Sequence, residues 1–238
     1  LAHSELGATR WIKLGPVSFQ AAEPIKAAII IFFAYYVSYW GLNRWYNQLL
    51  ACLLAIALLG FLFFFSNNLS TVIVLFCICA VIILSSVKKP DLYWYFLLGL
   101  ALIIIAAIFV TVYLLMHQGA ENFRFVRIRA WLHPEEYAAD EGLQAMQARY
   151  AIGAGGFWGK GLGQSLIKFK LSYSYNDFIL AIICEELGVF GVIVMMTLFG
   201  YLLYRIYKIA QNAWDIEGKV LAIGVFTQIA LQLLINVM

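Results

Sequence analysis

The chain has 238 residues, of which 64% are hydrophobic and only 12% are charged. Soluble domains usually carry about 25% charged residues, so this composition excludes an ordinary soluble protein. The net charge of +3 is too small to indicate a protein that binds nucleic acid. Apolar runs of about 20 residues, the length that crosses the hydrocarbon core of a bilayer, recur along the chain and predict a polytopic membrane protein.

The predicted fold class is an all-α bundle of membrane helices, forming one integral membrane domain over residues 1–238. Pro24 suits the first position of a helix, where its missing N–H is not needed. The last apolar run reaches Met238 without a polar flank, so we expect the chain to be a piece of a longer protein. Six spans are predicted, at residues 24–40, 49–65, 69–87, 92–116, 177–204 and 219–238.

A long polar loop, residues 117–176, separates the fourth and fifth predicted spans. Lys and Arg residues are enriched in short cytoplasmic loops, so their distribution predicts that this loop is extracytoplasmic. Leu143, Met146 and Tyr150 are spaced for one face of a helix. Such a helix would either lie on the membrane surface or pack against the protein. The Lys and Arg residues that set the orientation are Arg44, Lys88, Lys89, Arg205, Lys208 and Lys219.

The same loop contains a glycine-rich stretch, AIGAGGFWGKGLG, at residues 151–163. A P-loop requires G-x-x-x-x-G-K-[ST], but Ala154 occupies the first glycine position and Gly161 follows Lys160. The stretch therefore does not predict a nucleotide site. Two interpretations remain: a turn whose backbone approaches a partner or ligand closely, and a turn that only requires positive φ.

Neither the cysteines nor the histidines have the spacing of a metal site. There is no CxxC pair and no pair of histidines one helical turn apart, so no metal site built by the protein is predicted. The residues concerned are Cys52, Cys77, Cys79, Cys184, His3, His117 and His133.

Several acidic and basic residues lie in or beside predicted spans, and five of them could carry a function. Glu23 and Lys26 are three apart, on one helix face, and form either a functional pair or an interfacial ion pair that ends the span. Along an ideal helix Glu185 lies about 80° around the axis from Asp177, and Glu186 about 180°. The three carboxylates therefore cannot share one face. Arg124, Arg127 and Arg129 fit a solvated face or an anionic lipid head group equally well.

Four stretches, in this order, resemble the SEDS family (shape, elongation, division and sporulation; the RodA, FtsW and SpoVE type). They are GATRWIKLGPVSFQAAEPIK, RIRAWLHPEE, AIGAGGFWGKGLGQSLIK and NDFILAIICEELGVFG. Family members have about ten helices, and the six predicted spans correspond to the fourth through ninth. The resemblance implies an inverting peptidoglycan glycosyltransferase that polymerises lipid II outside the bacterial cytoplasmic membrane, together with a class B penicillin-binding protein.

The resemblance also implies roles for particular residues. Asp177 corresponds to the family's functional acid and becomes the candidate general base. Lys26, oriented by Glu23, would balance its charge or contact the diphosphate of the leaving group. Arg127 and Lys160 are weaker candidates for that contact, and a divalent cation is a further possibility.

Glu185 and Glu186 correspond to the acids of the family's EELG motif and are expected to be structural. Some positions depart from the family pattern, with Tyr175 and Asn176 in place of its common His and Thr, Asn68 in place of an Asp, and Pro24 in place of an apolar residue.

Two other function classes fit a membrane protein with charges in its spans. One is a flippase or transporter for lipid-linked precursors, which should show inverted repeats and helices broken near the middle of the membrane. No repeat is visible among the predicted spans. The other is a non-catalytic scaffold that positions a penicillin-binding protein, and its function should survive loss of the Asp177 carboxylate.

Overall fold

The computed structural model of the protein describes residues 2–5, 8–14, 17–20, 22–42, 44–66, 69–87, 143–165 and 179–237. Several predictions lie outside these described residues, among them the fourth span (92–116), the three arginines Arg124, Arg127 and Arg129, most of the polar loop (117–142 and 166–176) and Asp177.

A small antiparallel sheet precedes the first helix. Its strands β1 (Ala2–Glu5), β2 (Ala8–Leu14) and β3 (Val17–Gln20) are arranged in sequence order. Trp11 pairs with His3 of β1 and with Gln20 of β3. The apolar runs gave no indication of this sheet, because strands of four to seven residues leave no signal on the scale of a membrane span.

Helices make up most of the rest of the described structure. The prediction of a helical, polytopic membrane fold is confirmed. The helices are α1 (Ala22–Trp40), α2 (Trp45–Ser66), α3 (Leu69–Ser86), α4 (Leu143–Gly155), α5 (Ile179–Asn212) and α6 (Ile216–Val237).

Within the described residues, three helices are long and apolar enough to cross a membrane: α5, α6 and the Trp45–Leu62 part of α2. They correspond to the second, fifth and sixth predicted spans. The third predicted span falls on a shorter apolar stretch, Thr71–Ser86. The first falls on α1, which has 19 residues and carries two charged side chains near its start.

The core of the first three helices is built from one face of each. In α1, Ile30, Phe33 and Val37 recur at helical spacing and are at most 2% exposed. The opposite face of α1 remains apolar although it is exposed, as at Ile31 and Tyr35. Such a face suits a lipid environment. Helix α6 approaches this core closely at Gly224, where a Cβ atom would lie only 2.6 Å from Cγ2 of Ile30.

The turn between α1 and α2 satisfies carbonyl groups that the end of α1 leaves without helical partners. Asn47 Nδ2 donates to the carbonyl oxygens of Trp40 (2.8 Å) and Gly41 (3.0 Å). Gln48 Nε2 donates to the carbonyl oxygen of Leu42 at 2.5 Å. These bonds join the end of α1 to the start of α2.

The chain divides into two compact units. The first comprises Leu1–Leu98 and Leu202–Ile235, and the second comprises Gly99–Tyr201 and Asn236–Met238. The first unit holds α1, α2, α3 and nearly all of α6. The second holds α4 and the larger part of α5.

Candidate functional site

Glu23 and Lys26 form an ion pair in the first turns of α1. Lys26 Nζ donates to Glu23 Oε1 at 2.7 Å, so the expected pairing on one helix face is present. The Lys26 side chain is only 7% exposed, whereas that of Glu23 is 50% exposed. The second carboxylate oxygen, Oε2, is 3.4 Å from Nε2 of Gln232 in α6. The pair therefore joins a buried cation to an accessible carboxylate, and its role in the reaction stays a prediction.

Gln232 was not singled out from the sequence. It lies 209 residues from Glu23, and an amide inside a mainly apolar run gives no sign of its partner. The run also contains Gln228 and Asn236, so the sequence does not set Gln232 apart from them.

Helix α4 confirms the helix predicted inside the long loop, but the side chains that pack are not those expected. Leu143 and Tyr150 are exposed. The buried positions are Ala148 and Ala151, which pack with Ala181 of α5. Small residues pack helices closely in membrane proteins, so the pattern of large apolar side chains pointed to the wrong face.

The glycine-rich turn after α4 joins a break in α5. In an uninterrupted helix, the N–H groups of Val189 and Phe190 would bond to the carbonyl groups of Glu185 and Glu186. Here all four groups bond to the turn instead. The exchanged bonds are Val189 N to Gly156 O (3.1 Å), Phe190 N to Phe157 O (3.2 Å), Lys160 N to Glu185 O (2.9 Å) and Gly161 N to Glu186 O (3.0 Å).

Two glycines make this exchange sterically possible. Gly188 has φ 68° and ψ −170° inside α5, and a Cβ atom there would lie 2.4 Å from both Gly159 N and Phe157 O. Gly159 has φ 78°, and its Cβ would lie 2.2 Å from Glu186 O. The interpretation of a close approach is therefore the one that holds: the turn requires positive φ, and its backbone closely approaches a partner, which is α5 of the same chain.

Glu185 is the centre of a buried polar cluster beside this break. The residue is 0% exposed. Its Oε1 accepts a hydrogen bond from Lys160 Nζ at 2.8 Å, and its Oε2 accepts one from Ser165 Oγ at 2.6 Å. A buried carboxylate is strongly destabilising unless it is paired, and this one has a cation and a hydroxyl donor. The Lys160 side chain remains 33% exposed.

Glu186 has different surroundings from Glu185, in agreement with the prediction that the acids do not share one face. It is partly buried, and its Oε1 has no hydrogen-bond partner among the described residues. The structural roles expected for both residues stay predictions.

Ser165 was missed by the sequence analysis. It lies 20 residues from Glu185 along the chain, beyond the reach of any helical spacing rule. Its only sequence signal is a hydroxyl that follows a glycine-rich stretch.

No group of three or more His, Cys, Asp or Glu side chains that could hold a metal ion occurs in the described part of the chain. The expectation of no protein-built metal site, and the alternative of a divalent cation held with a diphosphate, both stay predictions.

The apolar helices and the partly buried ion pairs among them define a polytopic helical membrane protein. Residues 1–238 match the family of cell cycle proteins that comprises FtsW, RodA and SpoVE, and the chain belongs to this family. The resemblance drawn from the sequence motifs is thereby confirmed.

Two relatives illustrate the similarity. The chain is 32% identical over 236 residues to the protein named probable peptidoglycan glycosyltransferase FtsW of Trichlorobacter lovleyi, covering 97% of this chain and 58% of that protein. It is 43% identical over 116 residues to stage V sporulation protein E of Bacillus subtilis, covering 48% of this chain and 32% of that protein. The chain thus spans little more than half the length of the first relative.

Solved structures show the same fold. A chain from a peptidoglycan synthase complex matches with a TM-score of 0.73 and 20% identity, covering 100% of this chain and 64% of that one. The rod shape determining protein RodA of Thermus thermophilus matches with a TM-score of 0.60 and 18% identity, covering 100% of this chain and 59% of that one.

Proposed function

We propose that the full-length protein is an inverting peptidoglycan glycosyltransferase, which polymerises lipid II at the outer face of the bacterial cytoplasmic membrane. The proposal rests on one observation above all: 97% of the chain aligns at 32% identity with a protein named as such an enzyme. Fold similarity to a chain of a peptidoglycan synthase complex supports a class B penicillin-binding protein as partner.

The reaction requires a base that takes the proton of the acceptor hydroxyl, and positive charge that stabilises the diphosphate leaving the donor sugar. The 4-hydroxyl of the acceptor sugar attacks the anomeric carbon of the donor, and undecaprenyl diphosphate leaves with the bonding electrons. Because a hydroxyl is a weak nucleophile, a carboxylate that takes its proton accelerates the step. We assign this role to Asp177. The departing diphosphate needs cations to stabilise its developing charge.

Of the two candidate cations among the described residues, Lys26 suits the diphosphate better than Lys160. If Lys160 turned to a phosphate, the fully buried carboxylate of Glu185 would give up its ion pair with Lys160 Nζ, and breaking a buried ion pair typically costs several kcal/mol. Glu23 is half exposed, so water can solvate it when Lys26 turns to an anionic substrate. Arg127, outside the described residues, remains the third candidate for this contact.

One observation bears on a flippase as the alternative. Transporters use broken helices whose free backbone groups bind substrate or ions, and α5 is broken at Gly188. However, the four backbone groups exchanged at this break are all bonded to the glycine-rich turn. They are not available to a transported ligand, so the break favours a structural joint over a transport site.

The assignment of Asp177 is tested with the full-length protein and purified lipid II. Asp177→Asn should reach normal membrane levels and form almost no glycan polymer. Asp215→Asn is the matched control, because Asp215 lies on an exposed turn where its side chain accepts from Gly218 N, and Asn also caps helices well. Normal polymer from Asp177→Asn would contradict the assignment of the base, whereas a non-catalytic scaffold would form no polymer even as wild type.

A further inference from the structure

An apolar cavity of about 370 Å³ lies between helices α3, α5 and α6, and all of its lining residues belong to the first unit. Val81 contributes from α3, Tyr207 and Ala210 contribute from α5, and five residues of α6 contribute between positions 223 and 231. Ligand pockets usually have volumes of about 300–1,000 Å³, so this cavity can hold part of a small molecule. The proposed reaction uses none of these residues.

The lining of the cavity offers a ligand almost no hydrogen-bonding group. Thr227 Oγ1 donates to the carbonyl oxygen of Ile223 at 2.8 Å, so its hydroxyl hydrogen is already used. The rings of Tyr207 and Phe226, whose centres are 6.3 Å apart, form part of the lining. An empty cavity deprives its lining of dispersion contacts, and a hydrocarbon chain restores them without leaving a polar group unpaired.

One turn beyond the cavity, each of the three helices carries a polar side chain, and together these form a polar rim. Each is four residues from a lining residue of its own helix, a spacing that places two side chains on one helix face. All three lie toward the end of the helices at which α3 and α5 end and α6 begins. The residues of the polar rim are Ser85, Gln211 and Lys219.

Lys219 gives the polar rim a positive charge. Its side chain is exposed and has no ion-pair partner among the described residues. The distribution of Lys and Arg predicts that this end of the helices is cytoplasmic. Anionic phospholipids make the surface of the cytoplasmic leaflet negative, and basic pockets between membrane helices on this side bind their head groups.

We propose that the cavity binds an anionic phospholipid of the cytoplasmic leaflet, with one acyl chain between the three helices and the phosphate of the head group at Lys219. Such a lipid accounts for both features of the site, the apolar interior and the cation at its rim. An apolar helix, from a partner or from a further part of the chain, would account for the interior alone. The inference is independent of the proposed function, because it concerns neither the sugar nor the diphosphate.

The test uses the full-length protein in detergent, titrated with dioleoylphosphatidylglycerol or with dioleoylphosphatidylcholine, which has the same chains and a zwitterionic head group. Native mass spectrometry counts the lipids bound. The wild type should bind its first phosphatidylglycerol about fivefold more tightly than its first phosphatidylcholine, as expected for one lysine near an anionic head group. Lys219→Gln should remove this preference.

Lys208→Gln is the matched control and should keep the preference. Lys208 is an exposed lysine near the same end of α5, but it lies about 100° around the helix from Tyr207. Its Nζ lies over the ring of Tyr204, at 5.9 Å from the ring centre. The comparison therefore separates a cation at the cavity from a cation that is only close to the membrane surface.

A second measurement locates the bound lipid. Phosphatidylglycerol with a photoreactive diazirine in its acyl chain should label residues 223–231 of α6 more than the other exposed apolar stretches. Ala230→Phe places a ring in the cavity and should reduce this labelling severalfold, while Leu221→Phe, at an exposed position of the same helix, should not. Lys219→Gln changes no lining residue, so it decides the question if Ala230→Phe does not fold.

Two results would overturn the inference. The first is a wild type that binds both lipids equally, or a preference that Lys219→Gln and Lys208→Gln reduce to the same extent. The second is labelling spread evenly over the helices with no enrichment at residues 223–231, which is the result expected if a helix covers the cavity.

Discussion

The contact between α4 and α5 is so close at Gly155 that a single methyl group should disrupt it. A Cβ atom at Gly155 would lie 1.8 Å from the carbonyl oxygen of Cys184 and 3.0 Å from Cα of Glu185. Both are backbone atoms, so no side-chain rotation can relieve the overlap. Gly153, on the same helix, has no atom within 4 Å of the equivalent position.

The size of the effect follows from this geometry. Restoring an ordinary separation requires the two backbones to move apart by roughly 1.5 Å, which is enough to break hydrogen bonds of ordinary length. The exchanged bonds between the turn and α5 lie within a few residues of this contact. Leaving buried backbone groups unpaired costs about 1–3 kcal/mol each, so losing two bonds, which unpairs four groups, should destabilise the protein by at least about 4 kcal/mol.

The matched pair Gly155→Ala and Gly153→Ala isolates the contact, because both replace glycine by alanine in one helix. Alanine is favoured over glycine in a helix by about 1 kcal/mol, so Gly153→Ala should be neutral or slightly stabilising. The assay is the midpoint of thermal unfolding of the full-length protein in detergent, followed by the loss of its monodisperse size-exclusion peak. Equal midpoints for the two variants would refute the close packing of α4 on α5.

Two further predictions concern the first unit. Lys26→Ala should lower the rate of lipid II polymerisation at least tenfold, with little change in the amount of protein in the membrane. Unchanged activity and stability would show that Lys26 only anchors the helix at the membrane interface. Asn47→Ala should lower the free energy of unfolding by about 1–2 kcal/mol, because two carbonyl groups at the end of α1 lose their donor. The exposed Asn212→Ala serves as its control in thermal unfolding, and equal midpoints would contradict the capping role of Asn47.

What could be predicted from the sequence depended on whether the interaction is local. The pair of Glu23 and Lys26 follows from a spacing of three residues in a helix, and it is present. The contacts of Glu185 with Lys160 and Ser165 cross 25 and 20 residues, so no periodicity could reveal them. The glycine-rich stretch signalled a close approach, but not that its partner is α5.

Two further differences have local causes. Helix α4 packs through alanines because small side chains let two helix backbones approach closely, whereas a search for large apolar residues points to the exposed face. The fifth span was predicted to end at residue 204, but α5 continues to Asn212. Polar residues such as Arg205 end the apolar run without ending the helix, since arginine is a good helix former.

One measurement tests the central claim most directly: full-length protein in proteoliposomes that contain fluorescently labelled lipid II. Glycan products are separated on a gel, and transfer of lipid II between leaflets is measured in the same vesicles by quenching the outward-facing label. The proposed function predicts glycan polymer from the wild type, its loss with Asp177→Asn, and no accelerated transfer in either case. Rapid transfer between leaflets without polymer would contradict it and identify a flippase instead.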